Sequence, residues 1–296
     1  MKNNYFVIGS PASENLAKKI AKKLQAKYLK TTLKIFPDGE SKLTISGRVN
    51  KGTIIVVSSM GPPVDSNLVQ TLSLLSKSSE MSSKVIAVIP YMGYAKQDKV
   101  FLKGEIVTIS VVAKLIKAAG ATRLIVVDFH SPNALSFFKL PVKNISAVFL
   151  FAEYFKNYKL KNPLVISPDM FWKSNAEKFA KHINTTAVAL NKQRNRKTGK
   201  LFIKPPLPKF SKGGDLILFD DMVSSGGSIL KAIQLLKKKY FRKMYVVCTH
   251  PVFVGDAERK IKKTGVTKII GTNSIEGKFS KIDLSEIISK TIQNWK

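Results

Sequence analysis

Apolar strand-like runs alternate with amphipathic helical stretches over almost all 296 residues, and this alternation predicts an α/β protein with mostly parallel sheets. Two details support that class. The run LILF at Leu216–Phe219 is apolar throughout, as a strand covered on both faces should be. Helical stretches also end where stop signals fall, with Gly120 placed as a C-cap after Ile106–Ala119.

Taken in order, the strands are expected at 5–8, 53–57, 85–89, 123–127, 164–166, 186–190, 216–219 and 243–247. The helices are expected at 12–26, 67–78, 106–119, 173–182 and 226–240. The pattern pauses around 140–146 and resumes at Leu164, which predicts a boundary near residue 145 and two open α/β domains, 1–145 and 146–296. The segment 191–208 is polar, basic and proline-ended and follows a strand directly. That composition suits a mobile flap.

Composition narrows the class further. With 44% hydrophobic residues the chain is a folded globular protein, and its length favours two domains. Met1–Ser10 reads as a short strand rather than a secretory signal, and no apolar stretch approaches the ~18 residues of a membrane span. A cytoplasmic protein without membrane attachment is expected. The single cysteine, Cys248 in MYVVC, excludes an internal disulfide and a cysteine-ligated zinc site, and reads as a buried small hydrophobe.

A net charge of +31 raises nucleic acid as a partner. Only six of the fifty basic residues are arginine, however, and the lysines are scattered over helix faces, as at Lys18, Lys19, Lys22, Lys23 and Lys237–Lys239. No nucleic-acid-binding motif accompanies them, so specific nucleic-acid binding is not expected. Solvated helix faces are the leading reading, beside weak polyanion binding and steering of multiply charged small substrates into a cleft.

The chemistry concentrates in LILFDDMVSSGGS, Leu216–Ser228. An apolar strand there runs into Asp220 and Asp221 at its carboxyl tip, where open α/β sheets bind ligands. The small-residue turn Ser224, Ser225, Gly226, Gly227 and Ser228 then presents backbone N–H groups at a helix N-terminus, which suits a phosphate monoester. Adjacent carboxylates can accept hydrogen bonds from a vicinal diol or hold magnesium. A sugar phosphate satisfies both parts.

Four other clusters lie in loops or at strand ends. Lys96, Gln97 and Lys99 follow a strand in IPYMGYAKQDKVFLKGE and can neutralise a polyphosphate. VVDFH ends a strand with Asp128 and His130 two residues apart, and both side chains of such an alternating pair are expected to point the same way, towards the same cleft mouth. VISPD carries Asp169 at a further strand tip, and FPDGE places Asp38, Gly39 and Glu40 in a turn. His182 and His250 carry no comparable signal.

In this order, FPDGE, GYAKQDK, DFHSP, SPD, the Lys192/Arg194 flap and DDMVSSGGS resemble the signatures of the ribose-phosphate pyrophosphokinase family, over residues 5 to about 290. The resemblance implies two domains of the type I phosphoribosyltransferase fold related by a pseudo-repeat. It implies a transferase of nucleotide biosynthesis, a kinase that moves the diphosphoryl group of MgATP to the anomeric hydroxyl of ribose 5-phosphate, giving phosphoribosyl pyrophosphate and AMP.

Carried over by residue, the resemblance places Asp38, Gly39 and Glu40 around the adenine, in a site often shared with a neighbouring subunit of a homo-oligomer. Lys96, Gln97 and Lys99 would bind ATP, and His130 and Asp169 would hold Mg2+. Lys192 and Arg194 would act on the reacting phosphates, Arg194 also meeting ribose 5-phosphate. Asp220 and Asp221 would contact the ribose hydroxyls, with Ser224, Ser225, Gly226, Gly227 and Ser228 around the 5-phosphate.

The chain departs from the family pattern in places. Lys96 and Lys99 stand where arginines are usual, keeping the charge and losing the bidentate fork. Ser224 stands for a common aspartate, Ser225 and Ser228 for threonines, and Lys139 and Lys143 for aspartates. Met170, Phe171 and Trp172 follow SPD where small residues are common. Competing readings are a phosphoribosyltransferase, which FPDGE and KQDK oppose, and a catalytically silent regulatory relative, which retention of Lys192, Arg194, His130 and Asp169 opposes.

Overall fold

The computed structural model describes residues 4–190, 192–194, 201–203, 212–236 and 241–295. It divides into two units at Ser146/Ala147. Asn273–Glu276 and Asp283–Lys296, expected in the second domain, belong to the first unit instead.

Unit 1 is a six-stranded parallel sheet of β1 (Tyr5–Gly9), β2 (Lys27–Leu29), β5 (Thr53–Val57), β6 (Val85–Ile89), β7 (Arg123–Val127) and β8 (Val142–Ile145). Its order is β2-β1-β5-β6-β7-β8. Strands β3 (Thr31–Ile35) and β4 (Ser41–Ile45) form a separate antiparallel hairpin. Every residue of β6 is buried, because α1 (Glu14–Leu24), α2 (Val64–Met81) and α3 (Thr108–Ala118) supply the crossovers that cover a parallel sheet. Helix α3 ends before Gly120, which has φ +96° and no room for a side chain, since a Cβ there would stand 2.3 Å from that of Ser79.

Unit 2 repeats this plan. Helix α4 (Val148–Lys156) leads into β9 (Leu164–Ser167), α5 (Lys173–His182) and β10 (Thr186–Ala189). A hairpin of β11 (Lys192–Arg194) and β12 (Leu201–Ile203) follows. Next come β13 (Asp215–Val223), α6 (Gly227–Leu236), β14 (Lys243–Pro251), α7 (Ala257–Lys262), β15 (Lys268–Thr272) and β16 (Ser280–Ile282). The parallel order is β10-β9-β13-β14-β15-β16, strand for strand that of unit 1, with a hairpin again inserted between the second and third strands of the chain. The pseudo-repeat is therefore a property of the topology.

The repeat explains where the C-terminus goes. Helix α4 packs on α5 in unit 2, and α8 (Ser285–Gln293) packs on α1 in the corresponding place of unit 1. Ile288 and Ile292 of α8 are buried, and ion pairs Lys23–Glu286 (2.6 Å) and Lys19–Asp283 (3.0 Å) tie it down. Arg123 adds a hydrogen bond to the Trp295 carbonyl (2.8 Å) and lies 5.3 Å from its ring.

The expected strands fall where the apolar runs put them, with β13 and β14 longer at their carboxyl ends. The pause at 140–146 holds β8, and α4 follows it at once. The expected end of α6 at Tyr240 lies outside the described residues. Among the described residues no helix is long and apolar enough to cross a membrane.

Candidate active site

In unit 2 the sheet order turns between β9 and β13, the switch point at which open α/β sheets leave a crevice. The register pairs Ile166 with Leu218, so Asp169 and Asp221, each three residues further on, follow the same edge of adjacent strands. Asp220 and Asp221 are buried, at 5% and 3% exposure. The Asp221 N–H donates to Asp220 Oδ1 (3.0 Å), and the Met222 N–H donates to Asp221 Oδ1 (2.7 Å). Burial, with the negative charges of Asp221 and Asp169, pushes the Asp220 carboxyl well above the usual carboxylate range. Its neighbour across the ladder, Cys248, has its thiol pushed up by burial and then by Asp220.

The turn after these carboxylates leads into the N-terminus of α6. Helix α6 starts at Gly227, and its first ladder bond runs from the Leu230 N–H to the Gly226 carbonyl (2.8 Å). The N–H groups of Gly227, Ser228 and Ile229 consequently have no acceptor within the helix. Gly226 has φ +75°, and a Cβ there would stand 3.0 Å from Ile261 Cδ1. The far side of the turn is pinned by the Val254 N–H on the Ser224 carbonyl (3.2 Å) and the Phe253 N–H on the Val223 carbonyl (2.9 Å). Ser224, Ser225, Gly226, Gly227 and Ser228 thus form one backbone cradle beside Asp220 and Asp221.

Asp169 also organises its own loop. Its Oδ1 accepts the N–H groups of Phe171 (3.1 Å) and Trp172 (3.3 Å), while Ser167 Oγ donates to its carbonyl (2.6 Å). The bulk after SPD now has a place. Trp172 is 3% exposed and meets Phe219 edge-on at 6.1 Å, whereas Met170 and Phe171 are 50% and 49% exposed. Lys192 and Arg194 begin and end β11, in the arm of the hairpin expected as a flap. Their side chains and the rest of the 191–208 segment apart from 201–203 lie outside the described residues.

The remaining predicted residues are on unit 1. FPDGE forms the tip of the β3–β4 hairpin, where the Phe36 N–H donates to the Glu40 carbonyl (2.8 Å) and the Glu40 N–H to Asp38 Oδ1 (3.0 Å). Asp38, Gly39 and Glu40 are exposed there. Gln97 is more than a loop polar residue. Its Oε1 accepts from Thr108 Oγ1 (2.5 Å) and its carbonyl from the Ile109 N–H (3.4 Å), fastening the loop to the start of α3. Lys96 is exposed beside it, and Lys99 Nζ lies 5.0 Å from the Phe101 ring.

The alternation argument for Asp128 and His130 fails. Strand β7 stops at Val127, Asp128 has φ +41°, and Asp128 and Phe129 are both buried while His130 is partly exposed. Among the described residues no three His, Cys, Asp or Glu side chains group as a metal cage. His130 lies on unit 1 and Asp169 on unit 2. His250, which gave no sequence signal, is 3% exposed at the tip of β14, opposite Met222. A groove of about 850 Å³ between β4, Gly47–Asn50 and the C-terminal half of α2 lies apart from these clusters.

A parallel sheet with a hairpin after its second strand, an acidic switch point and a small-residue turn on a helix N-terminus defines the type I phosphoribosyltransferase class of folds in unit 2, and unit 1 repeats its sheet order and hairpin. Two family models narrow this. The one for the N-terminal domain of ribose phosphate pyrophosphokinase matches residues 5–120, and a phosphoribosyl synthetase-associated domain matches 177–294. The chain is 32% identical to the ribose-phosphate pyrophosphokinase of Methanobrevibacter smithii, over 97% of this chain and 100% of that one. It is also 32% identical to that of Sulfurisphaera tokodaii, over 97% and 99%. The crystal structure of phosphoribosylpyrophosphate synthetase from Mycobacterium smegmatis superposes with a TM-score of 0.86 at 26% identity, covering 98% of each chain. The chain belongs to the ribose-phosphate pyrophosphokinase family.

Proposed function

We propose that this chain transfers the diphosphoryl group of MgATP to the anomeric hydroxyl of ribose 5-phosphate, releasing AMP and phosphoribosyl pyrophosphate. The observation that carries the reading is the gathering of Asp169, Asp220 and Asp221 at one sheet edge beside the open amides of α6. Those amides suit the 5-phosphate, since they add positive dipole and three donors without needing a side chain. Asp220 and Asp221 take the ribose hydroxyls, each contact relieving part of the cost of a buried carboxylate.

Asp38, Gly39 and Glu40 are assigned to the adenine and Lys96, Gln97 and Lys99 to ATP, with Gln97 also fixing the loop that carries the two cations. Lys192 and Arg194 stabilise charge on the transferred group, Arg194 also meeting the sugar phosphate. No covalent intermediate is required. Alignment of the anomeric oxygen with the β-phosphorus, and cations placed where charge develops, account for the acceleration.

The donor set fits magnesium. The Asp220 carboxyl is raised by burial and then by two neighbouring carboxylates, whose charge a divalent cation would offset, and magnesium commonly takes only one or two protein carboxylates together with substrate oxygens and waters. Asp169 suits direct contact, and His130, a nitrogen donor, suits contact through water. When bound, the ion supplies charge neutralisation on the diphosphoryl oxygens. A homo-oligomer with an adenine site shared between subunits, and a cytoplasmic location, complete the reading on the strength of the family likeness.

The test is to incubate the protein with magnesium, ATP and ribose 5-phosphate and to assay AMP and phosphoribosyl pyrophosphate. Equimolar formation of the two is expected, and Lys192→Ala should lower turnover by about 10² or more with little change in the KM for ribose 5-phosphate. Absence of both products from the folded wild-type protein would overturn the reading.

A further inference from the structure

Behind the α6 cradle the backbone is strained at Phe253, in the loop between β14 and α7. Its φ is +40°, a value that a bulky residue adopts only when its surroundings force it. Gln25, Asn162 and Asn184 share the left-handed conformation for ordinary reasons: Gln25 ends α1 as its C-cap, and asparagine tolerates it. Phe253 ends no helix, and its side chain has no polar group with which to stabilise the turn.

Two sets of contacts do the forcing. The N–H groups of Phe253 and Val254 serve two consecutive carbonyls, that of Val223 at the end of β13 (2.9 Å) and that of Ser224 at the start of the cradle (3.2 Å). Successive N–H groups of an extended strand point to opposite sides, so two in a row reach one strand end only if the chain kinks between them. The positive φ at Phe253 supplies that kink. The side chain then holds it, because the Phe253 ring lies 4.5 Å from the ring of Phe279 with the planes inclined at 40°. Both rings pack on the apolar core of unit 2 that β13, β14, α6 and α7 share. The loop continues into α7, where Ala257 and Ile261 back onto Gly226: a Cβ on that glycine would stand 3.6 Å from Ala257 Cβ and 3.0 Å from Ile261 Cδ1. One stretch of chain therefore shapes the cradle from behind, and Phe253 is where it is fastened to β13.

We propose that Phe253, clamped by Phe279, is a positioning residue for the 5-phosphate of the acceptor. The inference rests on the assignment of that phosphate to the α6 cradle. Phe253 acts through the backbone. By fixing the Val223 and Ser224 carbonyls it fixes the direction in which the chain enters the turn, and with it the aim of the Gly227, Ser228 and Ile229 N–H groups. Backbone amides hold an anion well when they are aimed beforehand, since a loose turn must be ordered at the expense of binding. Removal of either ring releases the strained residue and lets the turn lose its aim, while Asp220, Asp221 and the residues assigned to ATP keep their places.

The experiment is steady-state kinetics of the wild-type protein, Phe253→Ala, Phe253→Tyr, Phe279→Ala and the double variant Phe253→Ala, Phe279→Ala, each assayed well below its measured melting temperature. Phe253→Ala should raise the KM for ribose 5-phosphate about tenfold and leave the KM for ATP and kcat at saturation at wild-type values, as lost binding does and lost chemistry does not. Phe253→Tyr keeps the ring and should keep the wild-type KM. Phe279→Ala should raise the same KM about threefold, and the double variant should be no worse than Phe253→Ala, because the two rings act as one unit. A wild-type KM for ribose 5-phosphate in Phe253→Ala would overturn the proposal, as would a KM for ATP raised by the same factor or losses that add in the double variant. Should Phe253→Ala fail to fold, Phe279→Ala carries the same test, and an unchanged KM there overturns the proposal. Inactivity of the wild-type protein would instead overturn the reaction assignment.

Discussion

The two units share one topology, yet their switch points are filled in opposite ways. After β5 the chain reads Ser58-Ser59-Met60, and in the corresponding strand β13 it reads Asp220-Asp221-Met222. The serines of unit 1 are spent on internal bonds. Ser58 Oγ shares a hydrogen bond with Thr71 Oγ1 (2.7 Å), the Ser59 N–H donates to Ser13 Oγ (2.9 Å), and Ser59 Oγ donates to the carbonyl of Ser274. Segment Asn273–Glu276, far away in sequence, is built into this place. Unit 2 instead buries two adjacent carboxylates near a third, and among the described residues no cation forms an ion pair with Asp220. A repeated fold has thus closed one crevice with its own chain and kept the other electrostatically strained. Strain of that kind marks a site that a ligand completes.

Making unit 2 resemble unit 1 is the most damaging change. The double variant Asp220→Ser, Asp221→Ser should lower affinity for ribose 5-phosphate by about 10² or more, since each lost charge-assisted hydrogen bond contributes about 1.5 to 3 kcal/mol. Affinity for ATP should hold, as separate titrations of the two substrates would reveal. A loss confined to ATP would mean that the halves of the reaction have been assigned the wrong way round.

Gly226→Val comes next. A β-branched residue at φ +75°, with its Cβ 3.0 Å from Ile261, distorts the cradle, so ribose 5-phosphate affinity should fall about tenfold and stability by ~1–2 kcal/mol. Calorimetric titration with the sugar phosphate and urea unfolding check the two parts separately. Ser59→Ala probes the closed crevice. It removes the hydrogen bond from Ser59 to the Ser274 carbonyl at a cost of about 1–2 kcal/mol in urea unfolding, and the KM for ribose 5-phosphate should not move. A raised KM there would contradict the division of labour.

How much of this was legible in the sequence depended on whether one segment sufficed. Strands β5, β6 and β7 could be read because their apolar runs are continuous and sharply bounded. The extension of β13 through Asp220 to Val223 could not, because two consecutive aspartates ordinarily end a strand, and only the ladder to β14 carries them on. Of the β3–β4 hairpin only the turn was legible, and the hairpin itself was not, because the TTLKI and SKLTI pattern of its strands is half polar on a partly exposed ribbon. The return of Asn273–Glu276 and α8 to unit 1 left no local mark, since it is set by packing on α1 and by bonds such as Ser59 to Ser274. Within the site, the acidic pair and the cradle were legible as a motif. The burial of Trp172 and the left-handed Asp128 depend on neighbours distant along the chain or on backbone detail that residue types do not specify.

The smallest effect tests the central contrast most directly. If Asp220 is held under strain for a ligand, its folded-state pKa lies above its unfolded value, so its stabilising contribution is complete below the unfolded pKa and is lost as pH rises through the folded one. Asp220→Asn removes that penalty. Urea unfolding of ligand-free wild-type protein and Asp220→Asn at a series of pH values should find the variant more stable at neutral pH by ~1 kcal/mol or more, with the advantage shrinking steadily as the solution is acidified. An Asn variant less stable than wild type at neutral pH, or a difference independent of pH, would contradict the account.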